Sequence, residues 1–412
     1  MKILQLTNKV PWPPKEGGTI AVFTLSKGFF LNGHQVTVLA MNTEEKHFEP
    51  GIIPEHLAAE INFIVIDVPF RAKAWSVWSN FIFSSLPYHA KRFIHEEYSM
   101  ALIRLLKENE FDVIQLEGLY LCPYISLIRR YSRAVISYRV HNIEHEIEQH
   151  NASMIGGLNA FFRVVEAKRL RNFELSFLNE YDVLVSITER DGMIWDKLGN
   201  TKPRYTSRTG IDLSTLIPTA KELEYPSLFY IGALDWPPNQ KGLIWFFNHC
   251  WPDIRRKFPD LRCYIAGRNA PVWLESRLHA ENIDFIGEVD DAYRFMCSKA
   301  IMVVPVLSGS GIRINIIEGM ALGKAVVSTS VGCEGIPAID HDNILIGDTP
   351  EAFVKAVGEL VSNKALFDKL CKTSVDFIRE KFDNLAIVGS LIRFYETYLE
   401  KPEHGLNRKT EN

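Results

Sequence analysis

The stretch of residues 305–324 reads PVLSGSGIRINIIEGMALGK, and it predicts three kinds of local structure in succession. The apolar run that ends at Pro305 is typical of a buried strand. The small residues Ser308–Gly311 then indicate a loop at the N-terminus of a helix that carries Glu318 in its first turns. Strand, loop and helix in this order are half of a βαβ unit, so the stretch predicts a parallel sheet.

The same alternation of strands and helices runs along the chain on both sides of this stretch. In the first half it predicts strands at Lys2–Thr7, Gln35–Ala40, Ile61–Val68, Val113–Leu116, Ala134–Val140 and Val183–Thr188, and helices at Thr19–Asn32, Tyr98–Asn109 and Leu158–Leu178. In the second half it predicts a helix at Lys241–Lys257 and strands at Ser227–Ile231, Leu261–Ala266, Ile283–Ile286, Ala300–Pro305, Ala325–Ser328 and Ile344–Ile346.

A polar, irregular segment, Asn200–Ser227, separates the two series. We therefore predict an α/β chain of two Rossmann-like, doubly wound domains, residues 1–205 and 206–383, with a polar tail at 401–412. Ligands of such sheets bind outside the carboxyl ends of the strands. If the two domains face each other, the expected site is the central cleft between them.

Composition and charge narrow the classes of function. The 412 residues carry a formal net charge of −4, which lacks the basic footprint of a nucleic-acid-binding protein. The six cysteines are scattered without a C-x-x-C pair, which indicates reduced thiols in a cytosolic protein and neither a disulfide framework nor a zinc site. The N-terminal apolar run is too short for a signal peptide, and no apolar run is long enough to predict a membrane span.

The loop and helix of residues 308–324 suit a phosphate ligand. Backbone N–H groups at a helix N-terminus are unpaired and lie at the positive end of the helix dipole. Arg313 adds a cation with a planar fork of donors, and Glu318 can accept two hydrogen bonds from a ribose diol. A glycine loop that closes an ordinary βα turn is an equal alternative from this stretch alone, because short glycine motifs are weak signals.

The whole segment resembles the nucleotide-binding signature of retaining glycosyltransferases of family 4. That resemblance implies the GT-B fold, in which two Rossmann-like domains face a central cleft and a C-terminal helix, here about residues 384–400, crosses back to the N-terminal domain. It also implies that Glu318 holds the nucleotide ribose. Many members carry another glutamate eight positions before this one, where this chain has Ser310. The resemblance then leaves contacts with the sugar and phosphates to the backbone of Gly309, Ser310, Gly311 and Ile312.

Two segments of the first half continue the resemblance. The paired Gly17 and Gly18 would let the first loop approach the donor diphosphate closely, although a simple tight turn is the alternative. His141 follows a predicted strand and matches the family's histidine that contacts the donor sugar. Its neighbours Asn142 and Glu144 would support it or meet the acceptor. A metal site built on this histidine-rich segment is a minor alternative, because the family's members need no bound metal.

The segment between the domains and the next loop also follow the family pattern. Gly210 is expected to be a turn residue with positive φ near the cleft. Most relatives have an arginine where this chain has Ala233, and Lys241 matches the family's lysine only if an insertion is accepted. The resemblance thus assigns most of the diphosphate neutralisation to Arg313, with Lys241 either assisting it or lying on a solvated helix.

Two more strand ends and one aromatic segment complete the predictions. Arg268 and Val289 follow consecutive strands of the second domain, where the family contacts the nucleotide. Residues 74–93 are rich in aromatic side chains and end in basic ones. We favour a core helix of the first domain for this segment over a surface that docks on a membrane or a lipid-linked acceptor.

The family resemblance, together with these residues, implies an enzyme. It would transfer a sugar from a UDP- or GDP-sugar to a hydroxyl of a saccharide or lipid-linked acceptor with retention of configuration, in cell-surface polysaccharide or glycolipid biosynthesis. No cofactor or essential metal is expected, and the compartment is the cytoplasm, with peripheral contact at the inner membrane face left open. A non-catalytic nucleotide-sugar-binding protein is the alternative, because of Ser310 and Ala233. A dinucleotide oxidoreductase is disfavoured because neither domain opens with G-x-G-x-x-G.

Overall fold

The computed structural model describes residues 1–14, 17–43, 48–69, 87–153, 158–214, 216–217, 223–309 and 312–399. These residues form two compact units. The first contains Met1–Gly210 and the final helix, Asn384–Leu399, and the second is Ile211–Asp383. The chain therefore leaves the first unit after Gly210 and re-enters it at Asn384. The sequence predicts the first of these boundaries after residue 205 and the second at about residue 384. The predicted tail, 401–412, lies outside the described residues.

The first unit is built on a seven-stranded sheet in which every pairing is parallel, in the order β3-β2-β1-β4-β5-β6-β7. Its strands are β1 (Lys2–Thr7), β2 (Gln35–Thr43), β3 (Asn62–Val68), β4 (Val113–Glu117), β5 (Val135–Val140), β6 (Val183–Ser186) and β7 (Arg204–Thr206). The strand order reverses between β1 and β4, so the crevice in which ligands of such sheets bind opens there. The short edge strand β7 was not predicted.

Helices cover both faces of this sheet. They are α1 (Gly17–Leu31), α2 (Glu55–Glu60), α3 (Tyr88–Lys91), α4 (Glu96–Glu108), α5 (Ile125–Tyr131), α6 (Glu144–Ser153), α7 (Leu158–Ser176), α8 (Glu189–Leu198) and, from the end of the chain, α16 (Asn384–Leu399). Alternate strand residues point to opposite faces. One set, including Leu4 and Leu116, packs with α4, α5 and α8, and the other, including Ile3 and Val113, packs with α1 and α16.

Helix α16 packs so closely on the first unit that two glycines are required. A Cβ on Gly28 of α1 would lie 2.5 Å from Cγ2 of Val388, and one on Gly210 would lie 2.5 Å from Cα of Asn384. Asn384 also donates from Nδ2 to the backbone oxygen of Thr24 at 2.6 Å. The prediction of a positive φ at Gly210 is wrong, because the φ of this residue lies outside the left-handed region. The close approach of α16, and not a turn, excludes a side chain there.

The second unit has a six-stranded sheet, also parallel throughout, in the order β10-β9-β8-β11-β12-β13. Its strands are β8 (Glu224–Ile231), β9 (Arg262–Ala266), β10 (Asp284–Gly287), β11 (Lys299–Val304), β12 (Ala325–Ser328) and β13 (Leu345–Ile346). Its helices are α9 (Pro237–Trp245), α10 (Trp251–Lys257), α11 (Val272–Ala280), α12 (Ala292–Ser298), α13 (Ile314–Ala321), α14 (Pro350–Ser362) and α15 (Lys364–Phe382). Here the strand order reverses between β8 and β11.

Two helix boundaries differ from the predicted ones. The helix predicted over Lys241–Lys257 begins earlier, at Pro237, because a proline costs no hydrogen bond in the first turn of a helix. It is then interrupted by a π-helical turn, Phe246–Cys250, before α10 begins. Pro252 explains the interruption, since it has no N–H to donate to a carbonyl of the preceding turn.

No helix within the described ranges is long and apolar enough to cross a membrane. Of the aromatic segment predicted as a core helix or docking surface, residues 74–86 lie outside the described residues. Its described end is α3, whose Ala90 is buried in the core of the first unit.

Candidate functional site

The carboxyl edge of the second sheet gathers most of the predicted donor-binding residues. Lys241 follows β8, Arg268 follows β9, and Val289 follows β10. Gly309, Ile312 and Arg313 follow β11, on the other side of the point where the strand order reverses. Parallel strands end at the same edge, so these segments from four strands lie at the edge where ligands of such sheets bind. Ser310 and Gly311 lie outside the described residues.

The walls of this crevice are packed through glycines. A Cβ on Gly242 of α9 would overlap the backbone oxygen of Pro305, where β11 gives way to the loop. A Cβ on Gly267, after β9, would overlap the backbone oxygen of Gly232, after β8. The loops after β8 and β9 therefore meet backbone to backbone, as do α9 and the segment after β11, which holds the edge of the sheet in one arrangement.

Arg313 stands immediately before helix α13. The helix begins at Ile314, later than the glycine-rich loop suggests, and Asn315 ties its start to the sheet by donating from Nδ2 to the oxygen of Ile231 at 2.9 Å. Gly309 has a φ of 114°, and a Cβ there would lie 3.1 Å from Nη2 of Arg313, so the loop passes close to the guanidinium. Burial lowers the pKa of Arg313, while Glu334 opposes that shift.

Glu318 lies in the second turn of α13, the helix that follows the carboxyl end of β11. Tyr293 of α12 donates its hydroxyl proton to Oε1 of Glu318 at 3.0 Å. Burial raises the pKa of this carboxyl to about 7, against the opposing effect of the Tyr293 hydrogen bond. No hydrogen bond from the described residues reaches Oε2, so that oxygen can accept one from a ligand. No sequence pattern indicates Tyr293.

The other predicted residues of this edge differ in their surroundings. Lys241 is exposed on the fifth position of α9. Arg268 is partly buried, and its backbone oxygen accepts from the N–H of Leu234 at 3.0 Å. Val289 is partly buried in the loop between β10 and α12. The structure thus brings these residues to one edge, and their contacts with a ligand remain predictions.

In the first unit the predicted residues also lie at the carboxyl edge of the sheet. Gly17 and Gly18 follow β1, but they form the first turn of α1 and not the loop that the sequence predicted. In that position they present backbone N–H groups that have no partner within the helix. His141 follows β5, and its side chain is 17% exposed.

His141 is held by a buried acid. Its Nε2 lies 2.7 Å from Oε2 of Glu117, the last residue of β4, whose side chain is 1% exposed. Burial alone would raise the pKa of Glu117, but the neighbouring Arg139 and His141 outweigh it and lower the pKa to about 2. Glu117 is therefore a carboxylate at neutral pH. Sequence reasoning missed it, although an acid at the end of an otherwise buried strand is a signal of a functional or paired group.

A second acidic group, Glu144, follows His141 in the chain at the start of α6. Tyr120 donates its hydroxyl to Oε2 of Glu144 at 3.2 Å, and burial, followed by the nearby Glu174, raises the pKa of Glu144 to about 7. Glu174 also lies 2.5 Å from Nδ1 of His145, so that histidine is turned into the core.

Within the described part of the chain, no three His, Cys, Asp or Glu side chains form a group that could hold a metal ion.

Solved structures show which fold this is. The chain aligns over 96% of its length with all of the Anabaena HepE protein in complex with UDP, at 11% identity and a TM-score of 0.68. It aligns over 97% of its length with 99% of a sucrose-phosphate synthase from Thermosynechococcus elongatus, at 15% identity and a TM-score of 0.69. The chain thus has the GT-B fold of two Rossmann-like domains, and this prediction is confirmed.

Sequence comparisons relate the second unit to glycosyltransferases. Residues 225–363 match the family model of "Glycosyl transferases group 1". The chain is 22% identical, over 95% of its length and 99% of the other, to an uncharacterized 44.6 kDa protein in the cps region of Klebsiella pneumoniae. It is 24% identical, over 46% of its length and 52% of the other, to a phosphatidyl-myo-inositol mannosyltransferase of Mycobacterium tuberculosis. Residues 225–363 of the second unit thus resemble a group 1 glycosyltransferase domain, and the chain as a whole has the GT-B fold.

Proposed function

We propose that the protein transfers a hexose from a UDP- or GDP-sugar to a hydroxyl group with retention of the anomeric configuration. The observation that carries this proposal is the edge of the second sheet, where Arg313 precedes α13 and Glu318 lies in its second turn, within the segment that matches the group 1 family model. A cation and a partly buried carboxylate on the same segment suit a diphosphate attached to a ribose.

The two side chains would have different tasks. Arg313 would neutralise the diphosphate, assisted by Lys241 and by backbone N–H groups of the 309–312 loop, because negative charge develops there as the sugar leaves. Glu318 would accept hydrogen bonds from the ribose hydroxyls through Oε2, while Tyr293 occupies Oε1. Arg268 and Val289 would border the nucleotide at the neighbouring strand ends.

The first unit would supply the remaining contacts. His141 would meet the donor sugar, and the N-terminus of α1 at Gly17 and Gly18 would approach the diphosphate. In the mechanism that the resemblance implies, the acceptor attacks the face from which the phosphate departs, and that phosphate takes the acceptor's proton. The protein then accelerates transfer mainly by holding the reactants in place and by stabilising charge.

The acceptor belongs to cell-surface polysaccharide or glycolipid synthesis in this proposal. The support is the cps region named for the Klebsiella relative and the phosphatidyl-myo-inositol in the name of the mycobacterial mannosyltransferase. The donor is a substrate, and no resident metal is needed, since the cationic side chains would balance the diphosphate. We place the reaction in the cytoplasm, in keeping with six free cysteines. Assays with lipid-linked acceptors will show whether the protein also contacts the inner face of the membrane.

The experiment is a turnover assay with a panel of UDP- and GDP-sugars and cell-envelope acceptors, run with and without EDTA. The expected result is transfer with one donor class, unchanged by EDTA, to a product whose anomeric configuration by NMR equals that of the donor. Inversion would overturn the retaining mechanism, and loss of activity in EDTA would overturn metal independence. Tight nucleotide-sugar binding without turnover would favour the non-catalytic alternative, which the replacements at Ser310 and Ala233 motivate.

A further inference from the structure

The carboxylate of Glu117 accepts four hydrogen bonds, two on each oxygen. Oε1 accepts from Nε2 of Gln5 at 2.8 Å and from Nε2 of Gln115. Oε2 accepts from Nη1 of Arg139 at 3.2 Å and from Nε2 of His141 at 2.7 Å. A carboxylate offers about four acceptor positions, so these donors use its whole capacity. The group has no remaining freedom to turn away from His141.

The amides of the two glutamines are themselves oriented by hydroxyl groups. Ser26 of α1 donates to Oε1 of Gln5 at 2.6 Å, and Tyr395 of α16 donates to Oε1 of Gln115 at 2.7 Å. Because each amide oxygen receives a hydroxyl proton, each amide nitrogen is directed to Glu117. Helix α16, which the chain contributes only after completing the second unit, therefore supports the group that holds His141.

This arrangement decides which nitrogen of a neutral histidine ring carries the hydrogen. A carboxylate can only accept, so the hydrogen between it and His141 must be on Nε2. In the neutral ring, Nδ1 is then an acceptor. No described residue makes a hydrogen bond to Nδ1, and the ring is partly exposed at the carboxyl edge of the sheet.

We propose that Glu117 is a positioning residue that holds His141 as the Nε2–H tautomer, so that Nδ1 accepts a hydrogen bond from a hydroxyl of the donor sugar. Tyr395 is the second positioning residue, because it orients Gln115 toward Glu117. The contact with the sugar rests on the proposed function. The tautomer does not, and it can be measured without any substrate.

The first test is the ¹⁵N spectrum of the imidazole rings in histidine-labelled full-length protein. His141→Ala identifies the signal of His141 among the twelve histidines. We expect the wild type to show a protonated Nε2 and an unprotonated Nδ1, and Glu117→Gln and Tyr395→Phe to raise the share of the other tautomer. An unchanged tautomer in both variants would overturn the proposal, and Tyr395→Phe decides alone if Glu117→Gln does not fold.

The second test separates positioning from stability by a matched pair of tyrosines. Tyr98 is also fully buried in the first unit, and its hydroxyl donates to the backbone oxygen of Leu39 at 2.8 Å, with no link to Glu117. Tyr98→Phe and Tyr395→Phe each remove one buried hydroxyl, so both should lower thermal stability, Tyr395→Phe by at least as much because that hydroxyl also lies 2.8 Å from Oγ of Ser137.

Only Tyr395→Phe should lower kcat/KM for the donor, by roughly tenfold, since a misplaced contact weakens transition-state binding. Equal activities of the two variants would overturn the supporting role of Tyr395. If the protein turns over no donor while the ring signals shift as expected, the proposed function fails and the tautomer assignment stands.

Discussion

Replacing Gly242 by alanine tests whether the packing of α9 against the segment after β11 shapes the nucleotide-binding edge of the second sheet. The added Cβ would overlap the oxygen of Pro305 and lie 2.9 Å from its carbonyl carbon and 3.2 Å from Cα of Val306. All three atoms are backbone, whereas carbon atoms normally pack about 3.5–4.0 Å apart. The strand exit or the helix must therefore move by several tenths of an ångström.

Such overpacking costs about 1–3 kcal/mol, and the better helix propensity of alanine returns about 0.5–1 kcal/mol of it. We expect Gly242→Ala to be less stable than the wild type by about 1–2 kcal/mol. Because the displaced backbone leads directly into residues 305–313, the affinity for nucleotide should fall by about tenfold or more.

Gly358→Ala is the matched control, because it lies in helix α14 of the same unit and its Cβ would meet nothing closer than Cε2 of Phe258 at 3.7 Å. That variant should gain about 0.5–1 kcal/mol from helix propensity alone and bind nucleotide normally. The assays are urea unfolding and nucleotide titration of both full-length variants. If Gly242→Ala matched Gly358→Ala in stability and affinity, the packing argument would be refuted.

Three further predictions concern charge and packing. Burial raises the pKa of Glu318 from 4.5 to about 7, so the folded protein keeps a proton that the unfolded chain has lost in that window. The free energy of unfolding should therefore fall as pH rises from 4.5 to 7 and level off above it, with a shallower fall in Glu318→Gln; identical slopes would contradict this. Arg313→Ala should weaken nucleotide binding about ten- to a hundredfold, more than Ser310→Ala, and the reverse ranking in titrations would contradict our division of roles. Gly28→Ala should lower the melting temperature by overpacking against Val388 of α16, whereas an unchanged value would refute that contact.

Much of the fold could be predicted because apolar runs and helical spacing alternate along the chain. The parallel order, the two units and the return of the last helix follow from that pattern and the resemblance. The short edge strand β7 was not predicted, because three residues are too few to show an alternating pattern. The π-helical turn before Pro252 was not predicted either, because a local change of hydrogen bonding leaves no periodicity in the sequence. The sequence marked Gly210 as a turn glycine, whereas the structure requires glycine there because Asn384 packs against it. Asn384 is distant in sequence, so no local pattern indicates this contact.

The candidate site was predicted unevenly for a similar reason. Arg313 and Glu318 lie close together in one motif, so a short stretch of sequence identifies them. The group around His141 comes from β1, β4, β5 and α16, and Tyr395 donates to Gln115, a residue 280 positions away. No local pattern indicates such a group. Glu117 alone could have been noticed, as an acid in a strand that is otherwise apolar around Gln115.

The central claim is that the second unit binds a nucleotide diphosphate with Glu318 as a ribose ligand. Calorimetric titration of UDP and of GDP into the wild type, Glu318→Ala and Glu380→Ala tests it most directly, because Glu380 is an exposed glutamate of α15, 69% accessible, and provides a matched control. We predict that one nucleotide binds the wild type and Glu380→Ala equally and Glu318→Ala at least about tenfold more weakly. Binding of neither nucleotide, or equal affinity in all three proteins, would contradict the account.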